Sequence, residues 1–367
     1  MSKSIFQKLF PRRQRKSFST WQIELTTRCP LECGMCTREG LEDWQHKDMN
    51  IDDFKKLIPY LKDVERVVLE GWGESLLHKN IIEIIRLVKA EGSEVGFVTS
   101  GKGLNKEYIS ELINAGVDFI GFSLSGGSSK THNSIRVNSD FQNLLKDIKT
   151  FNEIKAGKKL KKPALHIVYL MLKDNIFEIP AMIGLAKGIG IENIILINLI
   201  HISNEWQEKQ HVFTCLKKSG DYEEILKEAE TKAEELKINL TRHSLSPTEV
   251  SVCEENPLKN IYVSVDGDVS PCVYLNPPAS SPFLRIFCGN RHSIGKVTFG
   301  NIFKEPFHAI WSNERYVQFR RRFTLRKRRS EGIYSFFLGI DRLRGYETAS
   351  LPEPPEQCAT CHKILGV

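Results

Sequence analysis

Apolar, β-branched segments alternate with helical patterns along the first half of the chain, and this alternation constrains the fold most strongly. The segments typical of strands are residues 21–26, 64–71, 94–101, 117–126, 164–172 and 192–200. Helical patterns lie between them, at residues 51–62, 80–91, 105–115, 140–156 and 176–188. Nearly continuous apolar strands separated by helices predict a parallel sheet covered by helices. Six units are fewer than the eight of a closed barrel, so we expect an α/β fold with a partial (β/α)6 TIM-like barrel.

The remaining segments suggest three further parts of the chain. Residues 1–18 form a basic N-terminal tail, and residues 19–202 contain the barrel. Residues 203–250 are predicted to be a helical connector, because 221–237 is a strongly charged helical pattern. Residues 251–367 are rich in strands and turns and predict a smaller C-terminal domain, which opens with a hairpin that turns at Asp266–Gly267.

The chain has nine cysteines among 367 residues. Whether they form disulfides or remain available as metal ligands depends on the compartment in which the protein resides. The sequence contains no run of 18 apolar residues, and its basic start lacks the apolar core of a secretory signal. We therefore expect no transmembrane segment and a cytoplasmic location, where thiols stay reduced. Clustered cysteines in such a compartment favour metal ligation or catalysis over disulfides.

The net charge of +7 is concentrated in two basic stretches, residues 12–16 and 315–329. They are typical of a loose tail and a solvated helix face. Alternatively, they form a docking surface for an acidic electron donor or an acidic substrate. Nucleic acid is an unlikely partner, because aromatic residues do not interleave the basic ones.

Cys29, Cys33 and Cys36 follow the first predicted strand with C-x3-C-x2-C spacing. Three thiolates within eight residues are expected to converge on one small metal centre, as the ligands of iron–sulfur clusters do. Three ligands for four irons leave one iron open, which is typical of a reactive site rather than a structural one. The alternative is a zinc site with His46 or a distant group as the fourth ligand.

The loop TTRCPLECGMC resembles the cluster loop of the radical S-adenosylmethionine (radical SAM) superfamily. The resemblance implies a partial (β/α)6 barrel and a three-cysteine [4Fe–4S] cluster that binds S-adenosylmethionine (SAM) at its open iron. It further implies that an electron from flavodoxin or ferredoxin cleaves SAM to a 5′-deoxyadenosyl radical, which abstracts hydrogen from a substrate. That substrate is expected to be a small molecule, a cofactor precursor or a peptide. No catalytic side chain beyond the cluster is assigned.

The same resemblance suggests SAM contacts at the ends of the strands. The motif Gly71-Trp72-Gly73-Glu74 resembles the superfamily's Gly-Gly-Glu motif, with Trp72 in place of one glycine, and its acceptors are expected to bind the SAM ammonium. Met35 stands where an aromatic residue is usual and is expected to pack on the adenine. Ser123 and Arg136 are expected near the ribose and the carboxylate.

Cys253, Cys272, Cys358 and Cys361 form a second group, whose opening spacing resembles the SPASM domain. A SPASM domain has more cysteines, so the resemblance is to a shortened, twitch-type domain with one auxiliary [4Fe–4S] cluster. The alternative is a structural zinc. Cys215 and Cys288 are interpreted as ordinary thiols, although Cys288 could replace one ligand or line the active site.

Two further interpretations concern the protein's class. The run Met-Cys-Thr-Arg-Glu and the tail containing Cys-His-Lys resemble, more distantly, proteins that modify the tungsten cofactor of aldehyde ferredoxin oxidoreductases. The competing hypothesis is a zinc-binding, nucleic-acid-associated protein without catalytic activity.

Overall fold

The computed structural model describes residues 16–215, 222–337 and 350–367. Its strands are β1 (Phe18–Ile23), β2 (Glu32–Cys33), β3 (Val64–Val68), β4 (Glu94–Thr99), β5 (Phe119–Leu124), β6 (Arg136–Val137), β7 (Ala164–Met171), β8 (Asn193–Asn198), β9 (Asn239–Arg242), β10 (Asn260–Val263), β11 (Val269–Ser270), β12 (Phe283–Phe287) and β13 (Asn290–Ile294). Its α-helices are α1 (Ile51–Lys55), α2 (Ile58–Leu61), α3 (Ile81–Ala90), α4 (Lys106–Ala115), α5 (Ser129–Ile135), α6 (Phe141–Gly157), α7 (Ile179–Gly188), α8 (Glu205–Gln210), α9 (Glu223–Glu235), α10 (Phe307–Ser312), α11 (Glu314–Phe337) and α12 (Glu356–Ala359).

The six strands predicted from the apolar segments form one parallel sheet, in the order β1-β3-β4-β5-β7-β8. Helices connect them, as each right-handed crossover between parallel strands requires. The predicted α/β fold with a partial (β/α)6 barrel is therefore confirmed. The predicted helix at 51–62 is divided into α1 and α2, because Pro59 stands in the first turn of α2.

The sheet continues beyond these six strands on both sides. β9 pairs in parallel with β8, and β10 pairs in parallel with β1, while β11 returns antiparallel to β10. β9 lies in the segment expected to be a helical connector and was not predicted as a strand. Its four residues are too polar to stand out in the sequence. α9 positions β9, because Leu226 and Ala229 are fully buried and α9 packs against α7.

The strands alternate between a face covered by helices and a face that lines the barrel interior. In β5, Ile120, Phe122 and Leu124 are fully buried in the core. Gly121 instead lines an interior cavity, and Ser123 shares its face, since alternate residues of a strand point to the same side. Residues on this face line the interior of the barrel rather than the helix-packed core.

The basic stretch at 315–329 lies within helix α11, and part of it is structural. Arg326 is fully buried, donates to Glu249 (2.7 Å) and donates to the carbonyl of Ser251 (3.2 Å). The guanidinium of Arg320 lies 3.6 Å from the ring centre of Trp311. Only the other basic residues of this helix can form a surface, and residues 12–15 of the tail lie outside the described residues. None of the described helices is long and apolar enough to cross a membrane.

Candidate functional site

The first cysteine loop folds back across the carboxyl edge of the sheet. Its short strand β2 pairs antiparallel with β6, so that Cys33 lies opposite Arg136. The amide of Gly34 donates to the carbonyl of Ile135 (3.3 Å), and the amide of Cys36 donates to the carbonyl of Cys33 (2.8 Å). Arg38 donates to the carbonyls of Cys29 (3.3 Å) and Leu31. These bonds fix the loop beside β6 without using the thiols.

The three thiols of this loop share one buried environment. Cys29, Cys33 and Cys36 border a small apolar cluster to which Leu31, Met35, Ile135, Leu172, Leu199, Ile202 and Ile286 belong. Burial raises the pKa of each thiol, that of Cys36 to about 11, and repulsion from the neighbouring sulfurs adds to the rise at Cys29 and Cys36. Three thiolates can therefore persist here only with a cationic centre among them.

The donor chemistry of both cysteine groups fits an iron–sulfur cluster. Thiolate sulfurs are the ligands of [4Fe–4S] clusters, with three available in the first group and four in the second. Zinc also binds thiolates, but His46, its suggested fourth ligand in the first group, is exposed. Among the described residues, three ligand atoms come within 4.8 Å of one another only at Cys215, Cys288 and His362.

The Gly71–Glu74 motif packs directly against the cysteine loop. The amide of Glu74 donates to the carbonyl of Arg28 (2.8 Å). A Cβ atom on Gly73 would lie 2.3 Å from the carbonyl oxygen of Thr26, and one on Gly71 would lie 2.4 Å from Glu24 Oε1. The two glycines are thus required by close contact with the chain itself.

The Glu74 carboxylate is already fully hydrogen-bonded by the protein. Its Oε1 accepts from Thr99 Oγ1 (2.7 Å), and its Oε2 accepts from the amide (2.8 Å) and the hydroxyl (2.7 Å) of Ser100. Glu74 therefore ties the motif to the end of β4. In the described part of the chain, no hydrogen bond reaches the carbonyls of Gly71, Trp72 and Gly73, so these oxygens remain as acceptors.

Glu24 is a residue of this site that the sequence analysis missed. It is 1% exposed and accepts from the amides of Trp72 (2.8 Å) and Val265 (3.3 Å), which joins the motif to the C-terminal region. Burial raises its pKa to about 7, because desolvation outweighs these hydrogen bonds. The available signal was an acidic residue, flanked by Ile23 and Leu25, within the segment predicted as the first strand.

Arg136 lies beside the cysteine loop, opposite Cys33, whereas Ser123 lies near the carboxyl end of β5. Arg136 Nε donates to Ser125 Oγ (2.9 Å), and its positive charge opposes the rise in the pKa of the Cys33 thiol that burial causes. Ser123 is half-buried on the interior face of β5 and, among the described residues, Ser125 is the serine that contacts Arg136. Met35 is 8% exposed and packs in the apolar cluster beside the cysteines.

A chamber of about 280 Å³ lies between the barrel and the C-terminal region. It is lined by Thr20, Gln22, Val68, Glu70, Gly71, Trp72, Glu255, Val273 and Tyr274. Burial, together with Glu255 and Glu74, raises the pKa of Glu70 to about 7. Trp72 Nε1 and the neighbouring His201 Nε2 are buried, and neither has a hydrogen-bond partner in the part of the chain described. Such groups are expected to bind a ligand, since buried polar atoms rarely stay unpaired.

The second cysteine group surrounds one small cavity next to this chamber. Cys253, Cys272, Cys358 and Cys361 all line it and are free thiols. Burial, together with repulsion from Cys361 and Glu255, raises the pKa of Cys253 to about 12. Glu255 and Tyr274 line both the cavity and the chamber, so the two sites adjoin.

The interpretation of Cys215 and Cys288 as ordinary thiols is wrong for this structure. The two residues form a disulfide, with their Cα atoms 5.6 Å apart. They are 73 positions apart in the sequence, and only the tertiary fold brings them together. His362, which the sequence analysis did not select, lies beside both sulfurs.

Comparison with known families identifies two regions of the chain. Residues 23–186 match the radical SAM superfamily, and residues 253–332 match an iron–sulfur cluster-binding domain, SPASM. A tungsten-containing aldehyde ferredoxin oxidoreductase cofactor-modifying protein of Pyrococcus furiosus is 26% identical over 307 residues, covering 81% of this chain and 82% of that protein. An AdoMet-dependent heme synthase of Methanosarcina barkeri is 25% identical over 317 residues, covering 79% and 81%.

Solved structures show the same fold. SuiB of Streptococcus suis bound to S-adenosylmethionine superposes with a TM-score of 0.60 at 15% identity, over 81% of this chain and 66% of that one. The structure of anSMEcpe with bound AdoMet and the Cp18Cys peptide superposes with a TM-score of 0.58 at 13% identity, over 93% and 94%.

Proposed function

Because the chain is a radical SAM enzyme with a SPASM iron–sulfur domain, we propose that it oxidises a small molecule or a peptide in the chamber between its two regions. Its first [4Fe–4S] cluster would be held by Cys29, Cys33 and Cys36. When reduced by a flavodoxin or ferredoxin, this cluster and SAM supply a 5′-deoxyadenosyl radical for hydrogen abstraction. The predicted SAM and cluster contacts are parts of this proposal.

The main structural support for SAM binding at the cysteine loop is the position of Arg136. The pairing of β2 with β6 places its guanidinium beside Cys33, at the open side of the cysteine loop. A guanidinium there can bind the carboxylate of SAM in a charge-assisted, bidentate geometry. Ser123, on the same rim, would contact the ribose or the carboxylate.

The remaining SAM contacts follow from the residues that the protein itself leaves unpaired. The carbonyls of Gly71, Trp72 and Gly73 would accept from the SAM ammonium, because the Glu74 carboxylate is occupied by Thr99 and Ser100. Met35 would cover the adenine with a polarizable apolar surface. The aromatic neighbours of Trp72, which include Tyr274, would exclude water from the chamber.

The second cysteine group supports an oxidation. Cys253, Cys272, Cys358 and Cys361 would hold an auxiliary [4Fe–4S] cluster that accepts an electron from the substrate. Glu70 faces the chamber, and no hydrogen bond to its carboxylate is found among the described residues. With a pKa near 7, this carboxylate can accept the proton that a carbinol or an amine loses on oxidation.

The relatives guide the proposed substrate and donor. Two of them are named for work on a tungsten cofactor and on heme, which favours a cofactor precursor. A solved relative contains a peptide, so a peptide is the second candidate. The exposed basic residues of α11, including Arg321 and Arg328, would attract an acidic electron donor.

The test is an anaerobic assay of the reconstituted full chain. We expect about eight irons with matching sulfide, and release of 5′-deoxyadenosine when SAM and a strong reductant are present. Cys36→Ala should abolish this release, while the exposed Glu32→Gln in the same loop should retain it. Stoichiometric zinc without sulfide would instead support the competing zinc-protein hypothesis.

Binding of SAM tests the role of Arg136 separately. Loss of a charge-assisted hydrogen bond is worth about 1.5–3 kcal/mol, so Arg136→Gln should weaken SAM binding about 10- to 100-fold. Anaerobic equilibrium dialysis measures this, with the exposed helical variant Arg86→Gln as control. Unchanged affinity in Arg136→Gln would mean that the carboxylate binds elsewhere.

A further inference from the structure

Cys215 and Cys288 lie where the barrel meets the hairpin β12–β13. Cys215 follows α8 on the barrel side, and Cys288 stands in the turn of the hairpin. The hairpin is fastened to the barrel near this point, since the amide of Ile286 donates to the carbonyl of Ile202 (2.8 Å). Ile286 also belongs to the apolar cluster beside the first cysteine loop. The disulfide therefore sits between the two regions of the enzyme.

His362 connects this disulfide to the auxiliary site. A ring nitrogen of His362 lies within 4.8 Å of both sulfurs. The side chain is 1% exposed, and its Nδ1 lies 3.0 Å from the carbonyl oxygen of Ile200. The rings of Phe213 and Phe287 pack on it at 4.9 Å. His362 directly follows Cys361, one of the thiols that line the auxiliary cavity.

The hairpin β12–β13 provides a second covalent connection between the disulfide and the auxiliary site. Arg285 lines the auxiliary cavity and donates to the carbonyls of Gln357 (2.8 Å) and Tyr274 (3.2 Å). Cys288 follows it by three residues, which is about 10 Å along a strand. The disulfide is therefore close to the auxiliary site through both the hairpin and the C-terminal segment.

We propose that Cys215 and Cys288 are a redox-active pair that is reduced by electrons passing through the auxiliary site. The other seven cysteines of the chain are free thiols, so Cys215 and Cys288 are the two that pair with each other. Both residues are half-buried, and solvent protons can reach them. This inference rests on the proposed function, because it requires an iron–sulfur cluster held by Cys253, Cys272, Cys358 and Cys361.

The proposed reaction is a two-electron reduction of the Cys215–Cys288 disulfide. The Cys215–Cys288 S–S bond breaks as two electrons arrive one at a time, from the low-potential donor or from the substrate as it is oxidised. Two protons from water complete the two thiols. The enzyme would thus store the electrons that substrate oxidation releases.

Thiol labelling of the full, reconstituted protein tests this inference. The protein is photoreduced anaerobically with deazaflavin, alkylated, and analysed by peptide mass spectrometry at Cys215 and Cys288. We expect at least about tenfold more labelling in the wild type than in Cys272→Ser, which would lack the auxiliary cluster. Cys358→Ser is the second variant of the same kind. After chemical reduction with a phosphine, alkylation should label the pair equally in all three proteins. This result controls for folding and for access of the reagent to the thiols.

The outcomes separate this inference from the proposed function. Equal labelling of wild type and both variants after photoreduction, or an unlabelled pair in the wild type, overturns the redox role. Iron content and 5′-deoxyadenosine are measured in the same samples. If both are normal while the pair stays oxidised, only this inference fails. If the wild type holds no iron–sulfur cluster, the proposed function fails and this inference fails with it.

Discussion

At the scale of single residues, the Gly71–Glu74 motif is organised by contacts with its own chain. Gly71 leaves room for the Glu24 carboxylate, and Gly73 leaves room for the carbonyls of Thr26 and Arg28. Glu74 is held by Thr99 and Ser100 at the end of the neighbouring strand. The site is therefore prepared by packing before any ligand binds.

Gly73→Ala tests this packing. The nearest atoms are backbone oxygens of the cysteine loop, at 2.3 and 2.7 Å from the added carbon, and they cannot move without shifting the loop. We expect the free energy of unfolding to fall by about 1–3 kcal/mol, the usual effect of overpacking. Urea denaturation measures it. Gly157→Ala, with open space around the added carbon, is the control and should change stability by less than about 1 kcal/mol.

Glu24 predicts a pH dependence of stability. Its pKa is about 7 in the folded protein and 4.5 in the unfolded chain, so the folded state binds the proton more tightly. The resulting stabilisation is complete below pH 4.5 and is lost as the pH rises to about 7. Integrated over this window, it amounts to about 3 kcal/mol.

Glu24→Gln should flatten this part of the pH profile. The glutamine side chain stays neutral at every pH. The free energy of unfolding of the variant should therefore fall less between pH 5 and pH 7 than that of the wild type. Denaturation midpoints at pH 5, 6, 7 and 8 give the comparison. Parallel profiles for the two proteins would show that Glu24 does not titrate in this range.

At the scale of elements, short pairings position the site. The two-residue strands β2 and β6 set Arg136 beside Cys33, although neither strand is long enough to be predicted from its sequence. On the other side of the barrel, α9 and β9 complete a unit that extends the sheet. Short elements of this kind form because long-range partners hold them, and their own residues have little preference for a strand.

Leu226→Ala tests how strongly α9 is held to the barrel. The side chain is fully buried in the main core, so its truncation leaves a cavity and should lower the free energy of unfolding by about 2–5 kcal/mol. Lys227→Ala, on the exposed face of the same helix, should change it by less than about 0.5 kcal/mol. Equal effects would show that α9 does not pack as described.

At the scale of the whole molecule, one chamber adjoins the second cysteine group and reaches the motif that packs on the first. Glu255 and Tyr274 line both the chamber and the cavity of the second cysteine group, while Gly71 and Trp72 line the chamber and belong to the motif beside the first cysteine loop. The proposed hydrogen abstraction and electron removal both require a substrate site of this kind.

Removing one auxiliary ligand should affect the two sites unequally. Cys358→Ser is expected to lower the iron content from about eight to about four per chain, because only the second group is incomplete. The first cluster should still show a change in its electron paramagnetic resonance spectrum when SAM is added. Loss of that response would mean that the two sites do not fold independently.

The local sequence determined the barrel and the two cysteine groups. Six apolar strands, the helices between them and the C-x3-C-x2-C loop are local patterns, so they could be read from neighbouring residues. The family resemblance followed from the same motifs. Expectations for Met35, Ser123 and the other SAM contacts came from that resemblance and remain predictions.

The tertiary structure alone decided which distant residues meet. Glu24 joins Trp72 to Val265, Arg136 lies opposite Cys33, and Cys215 pairs with Cys288 beside His362. All of these contacts span separations of 48 to 241 positions. Such contacts depend on how helices and strands pack in three dimensions. Hydrophobic periodicity describes which face of an element is buried, but it does not say which polar groups will lie against that face.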